Sequence, residues 1–89
     1  MIVRIDKSFQ KDINKINDAK TKNAIIETIN NITVAENISS INNLKKLTGQ
    51  KNMYRIRIGD YRIGLEYTEN HELVLIRFLH RKEIYKRWP

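Results

Sequence analysis

The 89-residue sequence contains no cysteine, so neither disulfides nor a thiolate metal site supports its fold. No apolar run approaches the roughly 18 residues that a membrane-spanning helix needs, and no long basic amphipathic helix favours a membrane surface. The N-terminal apolar stretch is short and followed by charge, unlike a signal peptide. We therefore expect one small domain, residues 1–89, in the cytoplasm, built on one modest core and without a membrane partner.

Several widespread catalytic and ligand-binding motifs are also missing. The sequence has no glycine-rich phosphate loop, no His/Asp/Glu cluster with metal-ligand spacing and no Ser-His-Asp arrangement. His71 falls in a predicted turn, where we interpret it as a solvated side chain. We accordingly expect no metal and no small-molecule cofactor.

Acidic residues are scarce in the second half of the chain relative to basic ones. Residues 1–44 hold six Lys/Arg and five Asp/Glu, whereas residues 45–89 hold eleven and five, so most of the net charge of +7 lies in the second half. This imbalance indicates a polyanionic partner, with nucleic acid as the first candidate. An acidic partner protein would explain the same charge.

The stretch Met53 to Leu65, MYRIRIGDYRIGL, predicts a β-hairpin with a two-residue type II′ turn at Gly59-Asp60. This turn pairs Arg57 with Arg62, and side chains alternate between faces along each strand. The face that we call the core face carries Tyr54, Ile56, Ile58, Tyr61, Ile63 and Leu65, and the face that we call the arginine face carries Arg55, Arg57, Arg62 and Gly64.

The arginine face has a feature that folding alone does not explain. Like charges directly opposite each other weaken a sheet, so Arg57 against Arg62 is unfavourable unless an anion binds there. Gly64 opposite Arg55 leaves room for a ligand to approach the backbone. The competing interpretation is a solvated polar face of a half-buried sheet.

The hairpin is preceded by a predicted strand and two helices. Residues 1–5 form the strand, and the first helix begins after Asp6 or Ser8 and runs to about Asn17. The second helix begins after Asp18 or Thr21. Its buried face comprises Ala24, Ile25, Thr28, Ile29 and Ile32. Within residues 33–52 we expect a short helical turn that begins after Ser39 or Ser40 and contains Ile41, Leu44 and Leu47.

Leu73–His80 predicts a third strand of the same sheet. Strict alternation places Val74, Ile76 and Phe78 on the core face and Leu73, Leu75, Arg77 and Leu79 on the arginine face. Arg77 and Arg81 would extend the basic row, and His80 would fall on the core side, although strand ends commonly bend. Ile84 and Trp88 are spaced i, i+4, which predicts a final helical turn that docks on the body while Tyr85 points elsewhere.

Three motifs together resemble the RelE/ParE superfamily of toxins from type II toxin–antitoxin systems. They are LKKLTG at residues 44–49, YRIRIGDYRI at residues 54–63, and His80-Arg81 followed by Tyr85. The resemblance covers the whole chain. It implies a small α+β domain with the order β-α-α-β-β-β and a short C-terminal helical turn, in which a mainly antiparallel sheet packs on an α-hairpin.

The resemblance implies one of two activities. The RelE branch cleaves mRNA in the ribosomal A site without a metal, by attack of a ribose 2′-OH, whereas the ParE branch inhibits DNA gyrase and is not a nuclease. The basic hairpin with His80-Arg81 and Tyr85 favours a ribosome-dependent mRNA endoribonuclease. Its implied partners are a cognate antitoxin, the ribosome and mRNA. A ParE-like gyrase inhibitor and an RNA-binding module without toxicity remain the alternatives.

The resemblance also implies which residues form the site. The expected catalytic residues are Arg55, Arg57, Arg62, His80, Arg81 and Tyr85, and the expected RNA-binding residues are Lys45, Lys46, Lys51, Arg77, Lys82, Lys86 and Arg87. Relatives often have lysine where this chain has Arg55 and Arg57. Because arginine is a poor general base, the base stays open among His80, Tyr85 and no efficient base.

Overall fold

In the computed structural model, which describes residues 1–89, two helices pack on one face of a five-stranded sheet. The elements are β1 (Ile2–Ile5), α1 (Lys7–Asn14), α2 (Ala19–Val34), a 3-10 turn (Ile38–Ser40), β2 (Leu44–Lys46), β3 (Met53–Ile58), β4 (Tyr61–Tyr67), β5 (Glu72–His80) and α3 (Ile84–Arg87). The strand order is β1-β5-β4-β3-β2, with β1 parallel to β5 and the other pairs antiparallel. The expected α+β class is confirmed. None of the helices combines the length and the hydrophobicity that a membrane-spanning helix requires.

Aspartates begin both long helices, as the sequence predicted. The Asp6 carboxylate accepts a hydrogen bond from the backbone N–H of Ser8, and the Asp18 carboxylate accepts one from that of Thr21. Hydrogen bonds from the Ser8 and Thr21 hydroxyls, and next those from the backbone N–H groups, lower the pKa of each carboxyl group. Helix α1 ends at Asn14, one turn earlier than expected.

The hairpin has the register that its sequence predicted. Arg57 lies opposite Arg62, Arg55 opposite Gly64, and Ile56 opposite Ile63. Gly59 has a positive φ of 56° and Asp60 does not, as a type II′ turn requires. Two like charges therefore face each other across β3 and β4.

The prediction for residues 41–47 was wrong in part. Leu44–Lys46 is a short strand, β2, which pairs with β3 and places Lys45 opposite Arg55. The helical turn before it is limited to Ile38–Ser40, and the side chain that caps it is Asn37. Three residues carry too little alternation to reveal a strand, and β3 supplies the partner that makes one.

The predicted faces of β5 were also wrong, because the strand contains a bulge. Gly64 lies opposite Arg77 but Leu65 lies opposite Leu75, so Ile76 is an extra residue. The extra residue shifts the alternation by one. Leu73 and Leu75 are consequently fully buried in the main core, where the prediction put Val74 and Ile76, while Ile76 packs with Leu79, Ile84 and Trp88. Phe78 lies in the core as predicted.

Arg77 does not extend the basic row, contrary to prediction. Strand β1 pairs with β5 only as far as Leu75, and α1 covers the edge beyond it. Asp12 on α1 accepts hydrogen bonds from Nε (2.7 Å) and Nη2 (3.0 Å) of Arg77 and from the backbone N–H of Phe78 (2.9 Å). The hydrogen bonds to the Asp12 carboxylate raise the pKa of Arg77. Asp12 thus satisfies the edge of β5 beyond the point where β1 stops pairing with it.

Candidate functional site

Arg62, near the start of β4, lies close to the other arginines of the arginine face. Its Nη1 donates hydrogen bonds to the carbonyl oxygens of Gly59 (2.9 Å) and Tyr61 (2.8 Å), which leaves the Nε and Nη2 donors for a ligand. Partial burial and the positive charge of Arg55 lower the pKa of Arg62, with smaller contributions from Arg57 and Arg81. Because Arg62 remains charged at neutral pH, the repulsion between these arginines destabilises the folded protein, and a bound anion would relieve it. We call Arg55, Arg57, Arg62 and Arg81 the arginine cluster.

A pocket of about 310 Å³ lies beside the cluster. Its polar and aromatic walls come from β2, the β2–β3 loop, β3 and the C-terminal segment, and include Lys45, Lys46, Gln50, Arg55, Tyr85 and Trp88. The Nε of Arg55 is buried and makes no hydrogen bond. A buried donor without a partner is unfavourable. The basic side chains that line the pocket, Lys45, Lys46 and Arg55, suit a ligand that carries oxygen acceptors.

Tyr85 joins this site from helix α3. Its side chain is 60% exposed and lines the pocket. Tyr85 raises the pKa of Arg62, whereas the neighbouring arginines lower it. The flanking residues Ile84 and Trp88 are buried, as their i, i+4 spacing predicted. The phenol is therefore the proton donor and acceptor nearest to the cluster among the expected catalytic residues.

The remaining two arginines of the cluster, Arg57 and Arg81, do not line this pocket. The Arg81 backbone N–H donates to the Asp60 carbonyl (2.8 Å), which ties the end of β5 to the hairpin turn. Its guanidinium Nε lies 4.0 Å from an Asp60 carboxylate oxygen, an exposed pair that contributes little. Arg57 is exposed and lines a second pocket, of about 300 Å³, together with Glu27 and Thr28 of α2.

His80 does not lie with the arginine cluster. It is opposite Tyr61 in the sheet, and the two rings pack edge to face with centroids 5.7 Å apart on the core side. Its Nδ1 accepts the backbone N–H of Lys82 (3.1 Å). Strict alternation predicted this side of the sheet for His80, and its contact with Tyr61 places the ring away from the arginine cluster.

The other predicted basic residues surround the site at different distances. Lys45 and Lys46 line the pocket, while Lys51, Lys82, Lys86 and Arg87 are exposed and make no ion pair. Sequence reasoning did not assign five of the pocket residues to the site: Leu47, Thr48, Gln50, Trp88 and Pro89. Gln50 carried no signal, whereas the helical spacing of Trp88 indicated docking without indicating a pocket. No group of three or more His, Cys, Asp or Glu side chains comes together to hold a metal ion.

Comparison with known proteins gives concordant results. Residues 3–85 match the family described as "ParE toxin of type II toxin-antitoxin system, parDE". The chain is 38% identical over 95 aligned positions to "Toxin RelE3" of Methanocaldococcus jannaschii, and the alignment covers all of both sequences. One chain of the RelB-RelE antitoxin-toxin complex from Methanococcus jannaschii superposes with a TM-score of 0.80 and 31% identity, covering 97% of this chain and 99% of that one.

Two more distant structures share the fold. A chain of the toxin-antitoxin complex RelBE2 from Mycobacterium tuberculosis gives a TM-score of 0.70 at 21% identity, covering 90% of this chain and 96% of that one. A copper-bound mutant toxin from Helicobacter pylori gives 0.66 at 22% identity, covering 94% and 98%. With the family match and the sequence identity above, the chain belongs to the RelE/ParE superfamily of toxins from type II toxin–antitoxin systems.

Proposed function

We propose that this toxin is a ribosome-dependent mRNA endoribonuclease that inhibits translation. The observation that carries the proposal is the basic pocket lined by Lys45, Lys46, Arg55 and Tyr85, beside Arg62, whose Nε and Nη2 make no hydrogen bond within the protein. Guanidinium groups bind phosphate oxygens bidentately and remain charged, so such a cluster fits an RNA backbone. Lys45 and Lys46 extend the positive field, and Lys51, Lys82, Lys86 and Arg87 surround it.

The proposed reaction is an internal transfer that consumes no water and needs no metal. The ribose 2′-oxygen attacks the adjacent phosphorus while the bond from phosphorus to the 5′-oxygen breaks, giving a 2′,3′-cyclic phosphate and a 5′-hydroxyl. The 2′-hydroxyl loses one proton and the leaving oxygen gains one. Negative charge builds on the phosphate oxygens in the transition state, where the donors of Arg62 and Arg55 would stabilise it.

The proton transfers are assigned to Tyr85 and to the ribosome. Arginine does not deprotonate in proteins, and His80 faces the other side of the sheet. Tyr85 is the exposed hydroxyl beside the cluster and both donates and accepts protons. A site with a single phenol is a weak acid–base device, which is the physical reason for expecting activity only on the ribosome, where the message is held in a reactive geometry.

The proposed protein partner is a cognate antitoxin. A similar fold occurs in the RelB-RelE antitoxin-toxin complex. In this chain Ile2, Ile26 and Val34 are 60%, 58% and 78% exposed, an apolar surface that a partner would cover. The net charge of +7 suits a small acidic antitoxin. We further propose that residues 1–89 act as one toxin domain.

One observation favours a second candidate function. The family that matches residues 3–85 is described as a ParE toxin, and ParE-like toxins inhibit DNA gyrase without cleaving RNA. Under this alternative the arginine cluster would contact protein or DNA and Tyr85 would have no chemical role.

The two functions are separated by inducing the gene in a bacterium and mapping message ends by primer extension. Endoribonuclease activity gives cuts phased to codons of translated messages, and these disappear in the Arg62→Ala/Arg81→Ala variant. The Lys11→Ala variant, which removes an exposed charge from α1, serves as the control and keeps the cuts. Filamentous cells with intact messages would support gyrase inhibition, and neither phenotype would indicate an RNA-binding module without toxicity.

A further inference from the structure

The indole ring of Trp88 lies directly on Gly64 of β4. A Cβ atom added to Gly64 would lie 2.7 Å from Cδ2, 2.8 Å from Cε3 and 2.9 Å from Cε2 of that ring, closer than real Cβ contacts come. Gly64 has no positive φ, so its backbone does not require glycine. The close approach of Trp88 is therefore the reason that this strand position has no side chain.

Helix α3 depends on this contact for its position. It has four residues, which is too short to be stable alone, and Glu83 provides no side-chain cap. Its attachment comes from Ile84 and Trp88, which are 0% and 6% exposed and pack with Leu79. The C-terminal segment is thus held on the sheet at two points, one turn apart.

Tyr85 lies between these two attachment points. It makes no hydrogen bond through its hydroxyl, and its ring is mostly exposed beside the pocket. Nothing but the placement of α3 therefore fixes the phenol relative to Arg62 and Arg55.

We propose that Trp88, lying on Gly64, is a positioning residue that holds Tyr85 over the arginine cluster. The structural part of this proposal stands on the contacts alone, and its catalytic consequence rests on the proposed endoribonuclease function. Trp88 acts through Tyr85 and does not itself take part in proton transfer.

The test uses the Gly64→Ala variant of the full chain. The strand backbone accommodates alanine, and the added methyl group lies on the arginine face, away from the main core, so we expect a folded protein with the indole displaced. Trp88 is the only tryptophan, and its fluorescence should shift to longer wavelength as it becomes hydrated. An unshifted emission in a folded variant would overturn the proposal.

Fluorine NMR of protein labelled with 3-fluorotyrosine measures the position of Tyr85 itself. The chain has four tyrosines, and Tyr54, Tyr61 and Tyr67 pack against the main core, so they report whether the body is intact. With the Tyr85 resonance assigned from Tyr85→Phe, Gly64→Ala should move that resonance and leave the other three in place. Movement of all four, or of none, would contradict the proposal.

The kinetic arm measures single-turnover cleavage of a message on programmed ribosomes. A displaced catalytic group can cost about a hundredfold, so we expect Gly64→Ala to lower the cleavage rate by about that factor while ribosome affinity is kept. In a Tyr85→Ala background the same substitution should have almost no further effect. An effect of equal size in both backgrounds would show a general structural role and overturn the proposal.

A second variant covers the case in which Gly64→Ala does not fold. Trp88→Leu removes the ring from the other side of the contact and should move the Tyr85 resonance alone. Adding Gly64→Ala to Trp88→Leu should then shift that resonance no further, because the clash is gone, and an unchanged Tyr85 resonance in Trp88→Leu would refute the proposal. If the wild-type protein cleaves no message, the proposed function fails, and the NMR measurement still decides the positioning role.

Discussion

Arg77 and Arg62 lie on neighbouring strands of one sheet but have opposite surroundings. The Asp12 carboxylate binds Arg77 through two hydrogen bonds and raises its pKa, whereas burial and Arg55 lower the pKa of Arg62. The first arginine is satisfied within the protein and fastens α1 to β5. The second is surrounded by like charges, with donors left over. The difference separates a cation that stabilises the fold from one that we propose binds a ligand.

The largest expected effect comes from removing the unsatisfied cation. Under the proposed endoribonuclease function, we expect Arg62→Ala to lower cleavage of ribosome-bound mRNA by about 10²- to 10³-fold, since it would remove a donor to the charge that develops in the transition state. The free energy of unfolding should be unchanged or slightly increased because the repulsion with Arg55 is relieved. Single-turnover cleavage and urea unfolding measure the two quantities. A large loss of stability in Arg62→Ala would contradict the comparison.

Breaking the ion pair between Asp12 and Arg77 should instead lower the free energy of unfolding. Asp12→Ala leaves the partly buried Arg77 and the Phe78 N–H without a partner, so we expect a loss of about 3 kcal/mol in the free energy of unfolding. Urea denaturation measures it. Replacing both partners, in Asp12→Ala/Arg77→Met, should recover part of that loss because no unpaired charge remains. A double variant no more stable than Asp12→Ala would show that the ion pair is not the cause.

Anion binding should test the unsatisfied Arg62 in a protein that stays folded. We expect inorganic phosphate to bind the folded cluster and not the unfolded chain, so stability should rise by about 1.4 kcal/mol at a phosphate concentration of about ten times Kd. Thermal unfolding at matched ionic strength, with chloride as the control salt, measures this. The rise should shrink in Arg62→Ala and persist in Lys11→Ala. An equal rise in both variants would mean that the phosphate binds elsewhere.

The smallest expected effect comes from Asp6 and Asp18, the exposed, hydrogen-bonded carboxylates that cap two of the helices. Hydrogen bonds lower the pKa of Asp6 and Asp18 in the folded protein, so the stability that they contribute is present above their unfolded pKa and is lost as pH falls through the folded value. Asparagine caps a helix about as well but does not titrate.

We therefore expect the Asp6→Asn/Asp18→Asn variant to lose less stability than the wild type between neutral pH and about pH 3. Urea unfolding at the two pH values measures the difference. The same acid-induced loss in both proteins would assign it to other carboxylates.

Much of the fold and part of the candidate site could be predicted from the sequence. The Gly59-Asp60 turn and the alternation around it determined the hairpin register, and with it the position of Arg57 against Arg62. The spacing of Ile84 and Trp88 predicted the docked C-terminal turn. These features depend on residues close together in the chain, whose backbone geometry repeats with a fixed period.

Other placements depended on partners that are distant in the sequence. Alternation put Arg77 with the other arginines, but Asp12 lies 65 positions away and binds it at the edge of β5. His80 was expected to reach the arginines from the strand end, yet it packs on Tyr61. Nothing in the local pattern of β5 indicates that Arg77 meets Asp12, whereas strict alternation already predicted the core side for His80.

By itself, the sequence determined the two faces of the β3–β4 hairpin, two candidate caps for each of the two longer helices, and the excess of positive charge in the second half. Only the tertiary structure decided where the bulge at Ile76 falls, which arginine receives a carboxylate, and that Trp88 covers Gly64. The physical reason is that turns, caps and alternation are set by neighbouring residues. A bulge, a buried ion pair or a ring over a glycine instead minimises the free energy of several elements packed together.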